Sequence, residues 1–168
     1  MKALFDTNIL IDYLNGIPAA RVEIARYEQP SISLITWMEV LAGTDADDEA
    51  KVRAFLGRFG CIGIDGAVAE RTVLLRYNRR IKLPDAIIMA TALNESALLI
   101  TRNTKDFSID EPGVRVPYAV RQGSDLAIQH FSSTQPGFTA VSNNQRSTPI
   151  PTASSRQNSG WSASSISE

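Results

Sequence analysis

The chain has 168 residues, 43% of them hydrophobic, which suits one domain with a sizeable core plus some extra chain and is too short for a second full domain. Lys and Arg number 17 against 18 Asp and Glu, a net charge of −1, so no general basic character is offered to nucleic acid, and any polyanion must be held by local patches or bound cations. The single cysteine, Cys61, excludes an internal disulfide, suits a reducing cytosol and reads as a small buried core residue.

No apolar run approaches the ~18 residues of a membrane span. Asp6 interrupts the apolar start before a signal peptide could form, so a cytoplasmic location is expected.

Residues 3–5 read as a short buried strand, followed by Asp6-Thr7-Asn8 and an apolar run at helical spacing to Leu14. Asp6 or Thr7 can cap that helix, and Asn15-Gly16 ends it. A second helix is expected over residues 19–27, stopped by Pro30. Residues 32–35 make a second strand, after which Thr36 is placed to cap a helix ending at Gly43.

The acids Asp45, Asp47, Asp48 and Glu49 read as the solvated start of another helix, where negative charge complements the dipole. Residues 61–64 form a third strand and residues 67–80 a long helix. Leu83-Pro84-Asp85 then restarts a helix that is apolar almost all round to Leu93, so it is buried on most sides. Residues 97–100 and 114–116 supply a fourth and a fifth strand. Strands alternating with helices imply an α/β fold, a parallel sheet with helices on both faces.

The domain so outlined covers residues 1–118. Residues 119–168 hold twelve serines and only five charged residues with few aliphatic ones. Such a segment cannot bury enough to offset its ordering entropy, so a disordered tail is expected.

Four acids fall at strand ends or on the helices that follow: Asp6, Glu39, Asp85 and Asp106. Each alone reads as a cap, a dipole partner or a turn former. Glu39 and Asp85, however, adjoin Val40-Leu41 and Ala86-Ile87-Ile88, chain that a core should hold, and buried carboxylates seldom stand unpaired. Converging carboxylates repel one another unless a cation joins them, and a hard divalent ion such as Mg²⁺ resolves that conflict.

The one histidine, His130, lies in the tail, so no histidine-based triad or zinc site is available, and no Gly-rich phosphate loop appears. Metal-assisted activation of water remains, with Arg79, Arg80 and Lys82 before Asp85, and Arg102 and Lys105 around Asp106, as basic residues that could meet phosphates.

With these residues assembled, the chain resembles the PIN-domain nucleases, and among them the VapC-type toxins of bacterial toxin-antitoxin pairs. The resemblance rests on Leu4-Phe5-Asp6-Thr7-Asn8-Ile9-Leu10-Ile11-Asp12, Ile35-Thr36-Trp37-Met38-Glu39-Val40-Leu41-Ala42-Gly43 and Leu83-Pro84-Asp85-Ala86-Ile87-Ile88-Met89-Ala90-Thr91-Ala92. The fourth segment is Leu99-Ile100-Thr101-Arg102-Asn103-Thr104-Lys105-Asp106-Phe107.

It implies a three-layer sandwich around a five-stranded parallel sheet of order 3-2-1-4-5, and Mg²⁺- or Mn²⁺-dependent endoribonuclease activity. The family's acidic site maps onto Asp6, Glu39, Asp85 and a fourth position, assigned to Asp106 with Asn103 as rival. Asp6 and Asp85 would bind metal most directly, while Thr7, Asn8, Thr101 and Asn103 would support the acids or meet RNA. A homodimer silenced by a cognate antitoxin is the family's usual assembly.

Three alternatives remain from the sequence: a PIN nuclease of RNA processing without an antitoxin, a non-catalytic binding protein, and a phosphoacceptor module modified at Asp65.

Overall fold

A computed structural model describes residues 1–119; apart from its first residue, the expected tail lies outside them. Eleven elements follow one another: β1 (Ala3–Phe5), α1 (Thr7–Leu14), α2 (Pro18–Ile24), β2 (Pro30–Ser33), α3 (Leu34–Ala42), α4 (Glu49–Leu56), β3 (Gly60–Ile62), α5 (Gly66–Arg79), α6 (Leu83–Asn94), β4 (Leu98–Ile100) and β5 (Val114–Arg115). The strands form one parallel sheet of order β3-β2-β1-β4-β5, the expected 3-2-1-4-5 arrangement.

β1 is central because all three of its side chains are apolar and buried, which a strand covered on both faces requires. Side chains alternate across a strand. Ala3 and Phe5 therefore join the core with Ile9, Leu10, Val40, Val52 and Phe55, while Leu4 points to the opposite core with Ile88, Met89, Leu99 and Phe107. Helices cover both faces, giving the three-layer sandwich. Phe5 packs edge-on to Tyr27 and Phe59, with ring centres 5.6 and 6.1 Å away. Among the described residues no helix is long and apolar enough to cross a membrane.

Local rules explain where element boundaries depart from expectation. Pro18 lies beyond α1 and opens α2 one residue before the expected start, a position where its missing N–H costs nothing. Gly16 takes φ 77° after the Asn15 cap, as the expected helix stop requires. α3 starts at Leu34 with Ser33 as its cap residue, so Thr36 is not the cap but a buried residue of the first turn.

α5 ends at Arg79 because Arg80 adopts a left-handed φ of 51°, and Arg76 donates through Nη1 to the Ile81 carbonyl at 3.1 Å to hold the turn. Cys61 is exposed, not buried: β3 is the edge strand, and it leaves Gly60 and Cys61 at the surface. Asp48 is likewise no solvated acid; it is buried at the start of α4, with Lys51 Nζ 2.9 Å from its Oδ1.

The central position of Phe5 makes it the most direct probe of the fold. Phe5→Ala is expected to cost about 3–5 kcal/mol in urea denaturation, from lost transfer energy plus a cavity; a loss below about 1 kcal/mol would contradict the packing described.

Candidate active site

The sheet order reverses around β1, and ligands of open α/β sheets bind in the crevice beyond the carboxyl ends of strands at such a switch point. Asp6 leaves β1 there and Thr101 leaves β4 beside it. Their backbones are tied by Asp6 N–H to the Ile100 carbonyl at 3.0 Å. Asp6 stands where a helix cap would, yet its side chain makes no cap hydrogen bond. Its Oδ2 instead accepts from Thr101 Oγ1 at 2.5 Å and from Asn8 Nδ2 at 2.6 Å. Burial pushes the Asp6 carboxyl up to about 6, the Thr101 hydrogen bond opposes this, and the charge of Asp85 adds to it.

Asp85 lies in the first turn of α6, just after Pro84, where the helix dipole favours an acid. Burial raises its pKa above the usual carboxylate range and the Asp106 charge raises it further, against Asn103 and Lys82. Asn103 is the link between these two acids: its Nδ2 donates to Asp85 Oδ1 at 3.0 Å and to Asp106 Oδ2 at 2.7 Å. The sequence rivals Asn103 and Asp106 thus occupy one cluster in different capacities, the amide bridging and the acid accepting. Glu39, on α3, is reached through Thr7, whose Oγ1 donates to Glu39 Oε2 at 2.6 Å and also lies 3.3 Å from Thr36 Oγ1.

The acids are therefore linked in two sets: Asp85, whose charge acts on Asp6, is joined to Asp106 through Asn103, and Glu39 is tied to Thr7, the residue after Asp6. All candidate donors are hard oxygens, and the raised pKa values of Asp6 and Asp85 express the repulsion and desolvation that a divalent cation would relieve. Among the described residues no three His, Cys, Asp or Glu side chains form a ready-made cage.

The basic rim is less uniform than its sequence suggests. Arg80 and Lys82 are exposed, whereas Arg79 Nη1 lies 2.5 Å from Glu111 Oε1. Arg102 departs from its expected role as a phosphate contact. Its guanidinium forks onto Asp12, Nε to Oδ2 at 2.5 Å and Nη2 to Oδ1 at 2.8 Å, and only its backbone N–H faces the site, donating to Asn8 Oδ1 at 3.0 Å.

Asp12 is fully buried and also accepts from the Tyr118 hydroxyl at 2.9 Å. The sequence pattern did not single it out as a functional residue, although an acid inside the apolar run Ile9 to Leu14 is itself a signal of a buried partner. Asp65, the alternative phosphoacceptor, is an exposed helix cap whose Oδ1 accepts from Val68 N–H at 2.8 Å.

The Asp6 carboxyl rises from 3.8 to about 6 on folding. Its contribution to stability is thus fully present below pH 3.8 and is lost as pH rises through about 6, each pH unit between the two values being worth roughly 1.4 kcal/mol. In metal-free buffer at pH 7.5, Asp6→Asn is expected to be more stable than wild type by up to about 3 kcal/mol, with the two converging below pH 4; parallel urea titrations showing a less stable variant at pH 7.5 would contradict this. Asp12→Ala should cost about 3–5 kcal/mol, because it strips the partner from a largely buried guanidinium, and thermal melts would show it.

Comparison with known proteins agrees with this fold. A family model described as the PIN domain matches residues 3–110. Ribonuclease VapC10 of Mycobacterium tuberculosis is 32% identical over 125 residues, 70% of this chain and 93% of that protein. Ribonuclease VapC19 of the same organism is 32% identical over 124 residues, 68% of this chain and 98% of that one. Among solved structures, a chain of a toxin-antitoxin complex from Klebsiella pneumoniae is 49% identical, covering 70% of this chain and 99% of its own, with a TM-score of 0.67. A match across residues 3–110, the span that holds Asp6, Glu39, Asp85 and Asp106, places the chain in the PIN-domain family, among the relatives of the VapC ribonucleases.

Proposed function

We propose that this chain is a Mg²⁺- or Mn²⁺-dependent endoribonuclease that acts in the cytoplasm as the toxin of a toxin-antitoxin pair, as a homodimer inhibited by a cognate antitoxin. The observation that carries the catalytic part is the buried Asp6 carboxylate at the sheet's switch point, electrostatically coupled to Asp85, which is coupled in turn to Asp106. The toxin part is supported by likeness to the Klebsiella pneumoniae chain, whose complex is described as a toxin with its antitoxin.

Asp6 and Asp85 would hold the ion, with Glu39 and Asp106 completing the site or orienting water. When bound, the ion lowers the pKa of an attacking water and neutralises charge developing on the phosphodiester. The protein's own part is preorganisation. Thr101 and Asn8 both donate to Oδ2 of Asp6, which fixes the carboxylate's orientation before substrate arrives. Thr7 aims Glu39 in the same way, and Asn103 spaces Asp85 from Asp106 so that their charges share one donor. The exposed Arg80 and Lys82 would serve as phosphate contacts, which would position RNA without specifying its sequence.

Asp6→Asn and Asp85→Asn should each reduce Mg²⁺-dependent RNA cleavage by at least about 10³-fold with the fold retained by circular dichroism, since each removes charge from the reacting centre. Chelation of divalent ions should abolish cleavage by the wild type. Expression of the wild type alone should arrest growth, and co-expression of the antitoxin from an adjacent gene should relieve it. Undiminished cleavage by the double variant would refute the site.

A further inference from the structure

Next to the acids, the turn after α5 and the chain between β4 and β5 line an open cavity of about 630 Å³ whose lining includes Arg79, Ile81, Lys105, Asp106, Ile109 and Glu111. Asp106 belongs to both places: it closes one side of the cavity and accepts from Asn103 in the acidic cluster. Whatever enters the cavity is therefore adjacent to the site at which a phosphodiester would be cut.

The lining has three chemical parts. Ile81 is buried, and Ile109 is an exposed aliphatic side chain, 65% accessible, with a free face. Arg79 and Lys105 bring two cations. Glu111 brings a carboxylate, an odd group for a place that faces a polyanion, and its partner is Arg79: Nη1 and Oε1 are 2.5 Å apart, with the two side chains 39% and 13% exposed.

We propose that this cavity is the subsite for an unpaired nucleotide flanking the scissile phosphate, and that Glu111 is an internal counterion which Arg79 leaves to bind that nucleotide's phosphate. The proposal rests on the ribonuclease reading above and adds a place and a selection step to it. A volume of this size falls within the roughly 300–1,000 Å³ of small-molecule sites. An unstacked base can lie on the aliphatic wall formed with Ile109, as single-stranded RNA offers its bases to protein surfaces.

Arg79, 39% exposed, meets the largely buried Glu111 through a single contact, whereas a guanidinium grips phosphate with two parallel, charge-assisted hydrogen bonds, which favours the exchange. A polyanion that passes by without placing a phosphate at Arg79 meets Glu111 still in position and is repelled. Glu111 thus raises the requirement for correct seating, an element of specificity built from repulsion.

The test is fluorescence anisotropy of the full chain with a short labelled single-stranded RNA, Ca²⁺ replacing Mg²⁺ to prevent turnover, across a salt series. Glu111→Gln should tighten binding about three- to tenfold, and Arg79→Ala should weaken it about tenfold and lower the salt slope by about one phosphate contact. In the Arg79→Ala background, Glu111→Gln should add nothing, because it acts through Arg79. Asp110→Asn, which removes the same charge one residue away, should stay within about twofold of wild type.

Weakened or unchanged binding in Glu111→Gln, or equal tightening with and without Arg79, would overturn the subsite. Cleavage of RNA by the wild type with Mg²⁺, measured alongside, separates the two levels. Cleavage with unresponsive Arg79 and Glu111 variants sinks the subsite alone, whereas no cleavage by wild type sinks the ribonuclease reading and the subsite with it.

Discussion

The carboxylate of Asp6 is placed by a constraint it does not control. β1 is three residues of wholly buried apolar chain, paired in register with β2 and β4, so the next residue must emerge in the notch where the sheet changes direction. A charged group in that notch is desolvated, and the fold answers with two donors, Thr101 and Asn8, on one oxygen. Neither donor carries charge, so the carboxyl remains easier to protonate than it would be in water. The resulting electrostatic tension is the property from which the metal site is argued.

The rest of the crevice is organised to hold that oxygen still. Asn8 accepts from the Arg102 backbone, and Arg102 is clamped by the buried Asp12, which also receives the Tyr118 hydroxyl. Residues 8, 12, 102 and 118 thus connect the first helix, the loop after β4 and the chain following β5. A guanidinium–carboxylate fork of this kind is rigid and directional, which suits a scaffold better than a substrate contact. The Arg79–Glu111 pair, by contrast, rests on a single contact with the arginine side 39% exposed, a form of ion pair that can be exchanged.

Much of this was legible in the residues. The apolar triplet before Asp6, the Pro84 restart and the nearly all-apolar run after it fixed the order of strands and helices, because burial on both faces leaves few alternatives. Asp6, Glu39, Asp85 and Asp106 stood out by their places at strand ends or on the helices that follow, Glu39 and Asp85 also by core-like neighbours, and the family resemblance supplied the sheet order. What the residues did not reveal depended on tertiary pairing. Cys61 looks like core until β3 proves to be an edge, and Arg102 looks like a phosphate contact until Asp12, 90 residues away, claims it. Asn103 and Asp106 compete on a line of sequence, yet in space the amide can bridge two acids.

The Asp6 carboxyl is held high by burial and a neighbouring acid, so a divalent cation bound there would take its proton's place. Calorimetric titration of Mn²⁺ into the protein, repeated in buffers of different ionisation enthalpy, measures the protons released per ion bound. Release of about half a proton is expected near pH 6, where a group titrating at about 6 is half protonated, and almost none near pH 8. Absence of Mn²⁺ binding, or binding with no proton release at pH 6, would contradict it.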